Sequence, residues 1–344
     1  MKKGLELQDL LTQVQQNAET RRDFIIPAEE LRYAAGPVSS LCFRDQEAPL
    51  TDYAHQQLAS FCGVPALFAR RLHQDHPDLE EQVMNRYLQN AGRDRMVRTM
   101  GGQARALLSD RFLRADNDGL VETVMPWIED HGFKVESANI SEDYIFIKAL
   151  SPRLKAEITP GDVVQAGIVI SNSEVGLGRI RVEPLIFRLV CTNGMVAQDS
   201  ELDAFTRRHI GAVLDADAAG VAAEVSLEAV WAQVREYLNL SLTASGFQGT
   251  VERLQESHRR RIPGELDEET LLKRLGREFQ VTQREQKSIG LWLGQEDRTA
   301  FGLVQAITRQ AQDEESYDRA TNLERLGGKV LTLSDRQWNA LVAA

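Results

Sequence analysis

The sequence predicts an α+β fold: a central, mostly antiparallel sheet with a helical N-terminal region and a helical C-terminal region. Three observations predict it. Runs of strand length, alternating or continuously apolar, concentrate between residues 93 and 198. Apolar residues recur at helical spacing on both sides of that stretch. A single helical pattern interrupts the strands, so about four or five strands pack with one helix among them. The expected organisation is a helical N-terminal region at 1–92, a sheet core at 93–198 and a helical C-terminal region at 199–344. At 344 residues the chain has the length of two domains, or of one large domain with an appended bundle.

In the N-terminal region Thr51 is placed to cap a helix with Ala54, Leu58 and Phe61 inward, and Gly63 and Pro65 stop it. Pro65 opens a second short helix through Phe68 and Leu72. Leu79, Val83, Tyr87 and Leu88 form a third apolar stripe.

In the central region the segment from Ala104 to Leu113 is short and mixed, and a polar turn at Ala115–Gly119 follows it. Asp118 is the expected cap of a helix burying Leu120, Val124, Trp127 and Ile128, kinked at Pro126 and ended by Gly132. Phe133–Ser137 and Tyr144–Leu150 read as paired strands, and Val163–Ser171 as a more continuously apolar one. After the turn Ser173–Gly178, a long strand runs from Arg179 to Cys191. Its polar residues sit at odd positions before Pro184 (Arg179, Arg181, Glu183), where Leu185, Phe187 and Leu189 follow on the same set. That phase change predicts a bulge or bend at Pro184. Thr192-Asn193-Gly194 is a turn signal closing the strand.

The remainder reads as helices. Ser226 caps one with Leu227, Val230, Trp231, Val234 and Leu238 on one face. Leu271, Leu272, Leu275 and Phe279 mark a second, and Phe301, Val304, Ile307 and Ala311 a third. Ser334 caps a short last helix with Trp338 and Leu341. Gly264 is the best internal hinge, and Asp215–Ala223 is merely Ala-rich.

Composition bounds the function. Forty Lys and Arg against 51 Asp and Glu give a net charge of −11. A chain that coats duplex DNA or anionic lipid with its whole surface would not carry that balance. The deficit is uneven: regions 1–92, 93–198 and 199–344 carry −4, −1 and −6. No run approaches the length of a membrane span, and acidic residues interrupt any signal-peptide core near Leu5–Leu11. Cys42, Cys62 and Cys191 are scattered and odd in number, which suits buried thiols in a reducing cytoplasm better than disulfides or a zinc site.

Candidate chemistry lies in the near-neutral centre. Arg93, Arg95, Arg98, Arg105, Arg111 and Arg114 crowd 93–115, and Arg179, Arg181 and Arg188 lie on the long strand. Guanidinium forks suit phosphate oxygens, and a sheet face can line them along a nucleic-acid strand. A solvated face with local ion pairs explains the same residues. Gly176-Leu177-Gly178 lacks the strand–loop–helix setting of a nucleotide fingerprint, so a hairpin connection is expected there. No Walker-type loop is present. Asp110, Asp116 and Asp118, with Glu183, are the carboxylates near the sheet that invite a divalent metal, although Asp116–Gly119 has the composition of a turn and cap. His73 and His76 are spaced for a helix-borne metal, but their neighbours Asp75, Pro77 and Asp78 favour a polar loop. Cys191 is expected as a packed thiol and Arg259–Arg261 as a solvated helix end.

Several stretches together resemble a known family. These are Leu50-Thr51 with Ala54, Gln57-Leu58 and Gly63-Val64-Pro65; Leu108–Phe112 followed by Asp116-Asn117; Ile170–Ser173 with Gly176; Arg188–Gly194; and Ala320–Gly328. They resemble the phage/plasmid-like proteins of domain-of-unknown-function family 932, over about Leu50 to Leu331. The resemblance implies a role in mobile-element DNA metabolism. In outline, a small antiparallel sheet with a packed helix is similar to RecT/Red-beta-type single-strand annealing proteins, a likeness of fold alone.

The expected function is therefore a non-catalytic, cytoplasmic accessory protein that binds or anneals single-stranded DNA. Arg105, Arg111, Arg179, Arg181 and Arg188 would carry the contact, with no metal or cofactor. Two alternatives stay open: a metal-dependent nuclease using Asp110, Asp116 and Glu183, and an acidic protein-interaction factor of counter-defence type. A homo-oligomer and a protein partner also stay open.

Overall fold

The structure, a computed structural model, describes residues 1–197 and 226–343, and the backbone of 205–207. The Ala-rich stretch Asp215–Ala223 lies outside the described residues. Among the described residues there are twelve α-helices and twelve strands, with every strand pairing antiparallel, so the fold class is α+β.

The N-terminal part contains α1 (Leu7–Thr20), β1 (Arg22–Pro27), β2 (Arg32–Ala34), β3 (Ser40–Phe43), β4 (Gln46–Pro49), α2 (Asp52–Phe61), α3 (Ala66–Asp75) and α4 (Pro77–Leu88). The helical reading of 1–92 thus omitted four strands. They are three to six residues long, three of them carry charges or proline, and all are ordered by partners that local periodicity does not reveal. The second difference concerns α4. Leu79 and Tyr87 of the expected stripe are exposed, and the buried row is Glu80, Met84 and Leu88. The Thr51 cap is present, its hydroxyl accepting from the Ala54 amide.

Next come β5 (Asp94–Met100), β6 (Gln103–Ser109), α5 (Asn117–Asp130), β7 (Lys134–Ile140), β8 (Ile145–Thr159), β9 (Asp162–Asn172), β10 (Ile180–Arg188), β11 (Asn193–Val196) and β12 (Phe205–Arg207). They do not share one sheet. β5 and β6 join β1 in the order β1-β5-β6, and β2-β3-β4 form a second small sheet. The large sheet runs β11-β10-β9-β8-β7, with β12 also on β10. Asp116, not Asp118, is the N-cap residue of α5. Asp118 lies in the first turn, drawn to Arg21 at 3.1 Å.

The expected bulge at Pro184 is absent from the β9–β10 pairing. Register is continuous from Arg181↔Ser171 to Arg188↔Val164, with Pro184 opposite Ile168. The polarity switch has another cause: both faces of the sheet are covered. One face carries Ile180 and Val182 into a core with α1 and α5. On the other, Glu183 meets a helix-borne arginine while Leu185 and Phe187 meet an apolar cluster. Pro184, which has no N–H, sits where the outer partner of β10 changes from β12 to β11.

The C-terminal helices are α6 (Leu227–Leu240), α7 (Ala244–Ser257), α8 (Glu268–Phe279), α9 (Gln283–Leu293), α10 (Ala300–Asp313), α11 (Tyr317–Leu331) and α12 (Asp335–Val342). Ser226 and Ser334 cap α6 and α12 as their sequence positions predict. α6 joins α1 and α5 on one sheet face. α7, α10 and α11 bury Ile158, Val164, Ala166, Ile186 and Met195 of the sheet strands. Gly264 lies in the connection between α7 and α8.

Candidate nucleic-acid interface and a histidine–glutamate centre

The five arginines singled out by sequence do not share one surface. Arg181 and Arg188 lie seven positions apart on a strand of continuous register, so they point to opposite faces. Arg188 is turned inward: its Nε lies 2.6 Å from Asp162, its Nη1 donates to Gln305 of α10 at 3.1 Å, and it covers the Phe301 ring. Arg111 is exposed in the turn after β6.

The other three gather near the turn between β7 and β8. Arg105 Nη2 donates to the Glu142 carbonyl at 2.5 Å and lies in the field of Asp143. Arg181 lies near Tyr144, with Arg179 and Arg325 beside it; burial and these two like charges lower its pKa. Gly178 sits against the Tyr144 ring, where a Cβ would come within 2.3 Å of Cε1. The second glycine of Gly176-Leu177-Gly178 is therefore accounted for by aromatic packing within a β9–β10 hairpin connection.

Carboxylates interleave with these arginines. Arg325 of α11 grips Glu183 through Nε, 3.0 Å from both oxygens, and through Nη2. Asp318, in the first turn of α11, is half-buried, and one of its oxygens is buried without a hydrogen-bond partner. Burial, reinforced by Asp143, pushes its pKa up to about 6 against the pull of Ser141 and Arg325. Burial and Glu142 likewise raise Asp143.

Asp110, Asp116 and Glu183 do not converge. Asp116 belongs to a buried network in which Arg98 Nη1 lies 2.5 Å from Oδ1 and Arg21 lies 3.3 Å from Oδ2. The same Arg98 holds Asp23 through two bonds of 2.8 Å and the Glu174 carbonyl at 2.7 Å. Glu183 is held by Arg325, and Asp110 sits exposed beside Ser109. Cys191 lies beyond the end of β10 and receives a hydrogen bond from Arg188 at 3.5 Å. Within Arg259–Arg261, Arg260 covers the Trp338 ring and reaches Asp335 of α12.

Among the described residues, one group of His, Cys, Asp or Glu side chains brings its ligand atoms within 4.8 Å of one another: His55, His73 and Glu80. It unites three helices, α2, α3 and α4. His55 Nε2 lies 2.8 Å from Glu80 Oε1, and His73 Nδ1 lies 3.0 Å from Oε2. The Tyr33 hydroxyl donates to Oε2 at 2.6 Å. Glu80 is fully buried, whereas the His73 side chain is 36% exposed. His76, the partner suggested by spacing, is an exposed residue at the α3–α4 junction. The signal for Glu80 was nonetheless in the sequence: a carboxylate in the row Glu80, Met84, Leu88 at i, i+4, i+8 must find partners if that row is buried.

A family model described as a domain of unknown function, DUF932, matches residues 106–329. The chain belongs to the DUF932 family. The match begins within β6 and ends within α11, so it takes in the large sheet and most of the C-terminal helices. Four of the five quoted motif groups fall inside the DUF932 span, and the Leu50–Pro65 group precedes it, as do His55, His73 and Glu80. No curated protein and no solved structure matches the chain.

Proposed function

We propose that this DUF932 protein is a non-catalytic accessory protein in the DNA metabolism of a phage or plasmid, and that it contacts single-stranded DNA around Tyr144. The observation that carries the reading is the gathering of Arg105, Arg179 and Arg181 around the β7–β8 turn: Arg105 donates to the Glu142 carbonyl there, and Arg179 and Arg181 follow Gly178, which packs on the Tyr144 ring. Guanidinium groups beside an aromatic ring suit a phosphate backbone with a stacked base. Arg188 drops out of the contact because it is committed to Asp162 and Gln305. The interleaved Asp143 and Asp318 weaken long-range attraction, so the contact is short-range and acid-favoured. Protonating Asp318, whose pKa is about 6, removes a negative charge from the patch.

The test is titration of a labelled oligothymidylate at pH 7.5 and 5.5 across a salt series. Binding should tighten at the lower pH. Changing Arg179 and Arg181 to Ala together should reduce the logarithmic salt slope by about 1.4, at about 0.7 per phosphate contact on single strands. Absence of binding at low salt at both pH values sinks the reading.

A further inference from the structure

We propose that His55, His73 and Glu80 form a binding site for a divalent transition metal, zinc by donor chemistry, that opens onto a neighbouring cleft and takes a small anion as an additional ligand. The inference is independent of the DNA reading and concerns the opposite end of the sequence from α11.

The donor set comes first. Two imidazole nitrogens and a carboxylate suit zinc, whose protein ligands lie about 2.0–2.2 Å from the ion. Tetrahedral ligands at that distance are about 3.3 Å apart. His55 and His73 approach different oxygens of Glu80, at 2.8 and 3.0 Å, and the ligand atoms all lie within 4.8 Å of one another, so closing on one ion draws the widest pair together by up to about 1.5 Å.

The setting is built to hold that set. Each ligand comes from a different helix, and each helix is fixed by its own packing: Ala54 and Leu58 of α2, Ala69 and Leu72 of α3, and Met84 and Leu88 of α4 are buried. Glu80 pairs with no lysine or arginine within 4.0 Å among the described residues. Hydrogen bonds from His55, His73 and Tyr33 hold this buried carboxylate, and a dication between the two imidazoles would add the full positive charge that such a group favours. The Tyr33 hydroxyl holds the carboxylate at 2.6 Å and also stands 3.3 Å from His55 Nε2, so it fixes two of the three ligands relative to each other, as supporting hydrogen bonds do around metal ligands. Tyr33 is itself clamped to α4, because its backbone N–H donates to Asn85 Oδ1 and its carbonyl accepts from Asn85 Nδ2, both at 2.8 Å.

Access completes the case. A cleft of about 360 Å³ is lined by His55 and His73 together with Ser39, Thr51, Gln56 and Arg70. Two of the three ligands, His55 and His73, face this cleft while Glu80 lies buried behind them, so a position on the cleft side stays available for water or an exogenous group, the arrangement of open zinc sites rather than closed structural ones. The exposed Arg70 guanidinium at the same cleft favours an anion, a carboxylate or a phosphate, in that position.

The experiment uses the full chain freed of metal by a chelator and titrated with Co²⁺ as a spectroscopic substitute for zinc, with thermal unfolding as the fold control. One equivalent should bind with the visible bands of a tetrahedral centre, and zinc should displace it. His73→Ala removes a partly exposed ligand; it should weaken binding at least 10-fold while leaving the metal-free melting temperature nearly unchanged. Inorganic phosphate and acetate, tested separately, should perturb the Co²⁺ spectrum, and Arg70→Ala should suppress that change without weakening metal binding. If no metal binds, or if His73→Ala binds as well as the parent, the triad is a hydrogen-bonded structural cluster and the metal proposal falls. If metal binds and neither anion alters the spectrum, the anion half falls.

Discussion

Lys148 Nζ lies 2.5 Å from Glu324 Oε2, and both side chains are fully buried. The pair joins β8, an inner strand of the large sheet, to α11. Lys148 also lies over the Tyr317 ring, 4.7 Å from its centre, and burial lowers its pKa despite the pull of Glu324. Truncating one partner leaves a buried charge alone. Glu324→Ala should therefore cost about 3–5 kcal/mol in chemical denaturation. Replacing both residues with apolar side chains of similar volume should restore most of that loss. A single variant of unchanged stability would contradict the burial of the pair.

Gly328 makes a second, steric prediction. A Cβ there would stand 1.9 Å from the Val196 carbonyl oxygen, because α11 lies directly on β11. Gly328→Ala gains helix propensity of about 1 kcal/mol, yet must push helix and strand apart. The expected net result is a loss of about 1–3 kcal/mol. Gly249 of α7 has nothing within 4 Å of its would-be Cβ. Gly249→Ala should be neutral or stabilising, and comparison of the two melting temperatures decides the point.

Asp318 makes a third prediction, this time in pH. Its folded-state pKa of about 6 lies above the ordinary value of 3.8, so folding penalises its charged form. That penalty is fully present above pH 6 and fades as pH falls towards 4. Asp143, Ser141 and Arg325 are the groups acting on it, and Asp143 is shifted in the same direction. Asp318→Asn should thus stabilise the protein more at pH 7.5 than at pH 4.5. A denaturation series over that range checks the sign; equal effects at both ends would refute it.

The caps were the most legible features. Thr51, Ser226 and Ser334 each accept the backbone hydrogen bond that their place before an apolar helix implies. The strand Val163–Ser171 was legible too, because its apolar β-branched run leaves little else, whereas β8 continues nine residues past the expected end at Leu150. The phase change at Pro184 implies a bulge only where one face of the strand meets solvent. A sheet buried on both faces can place Glu183 inward if Arg325 waits there, and that partner is 142 residues away. The partners of Glu80 were illegible for the same reason, since they lie on two other helices and a short strand. The shared motif Ala320–Gly328 gains a physical content from the structure, since it contains Glu324, Arg325 and the glycine that lets α11 approach β11.

β8 is fifteen residues long, and its two ends serve different cores. Ile145 and Ile147 pack with α1 and α5, whereas Ile158 packs with the C-terminal helices. One strand is thus the common wall of two rooms, so the C-terminal bundle is no detachable module. Grafted elsewhere without β8 and β9, it would present Phe247, Val251 and Leu254 as an open greasy surface; the helices arrive last in the chain, but the sheet is half of their interior.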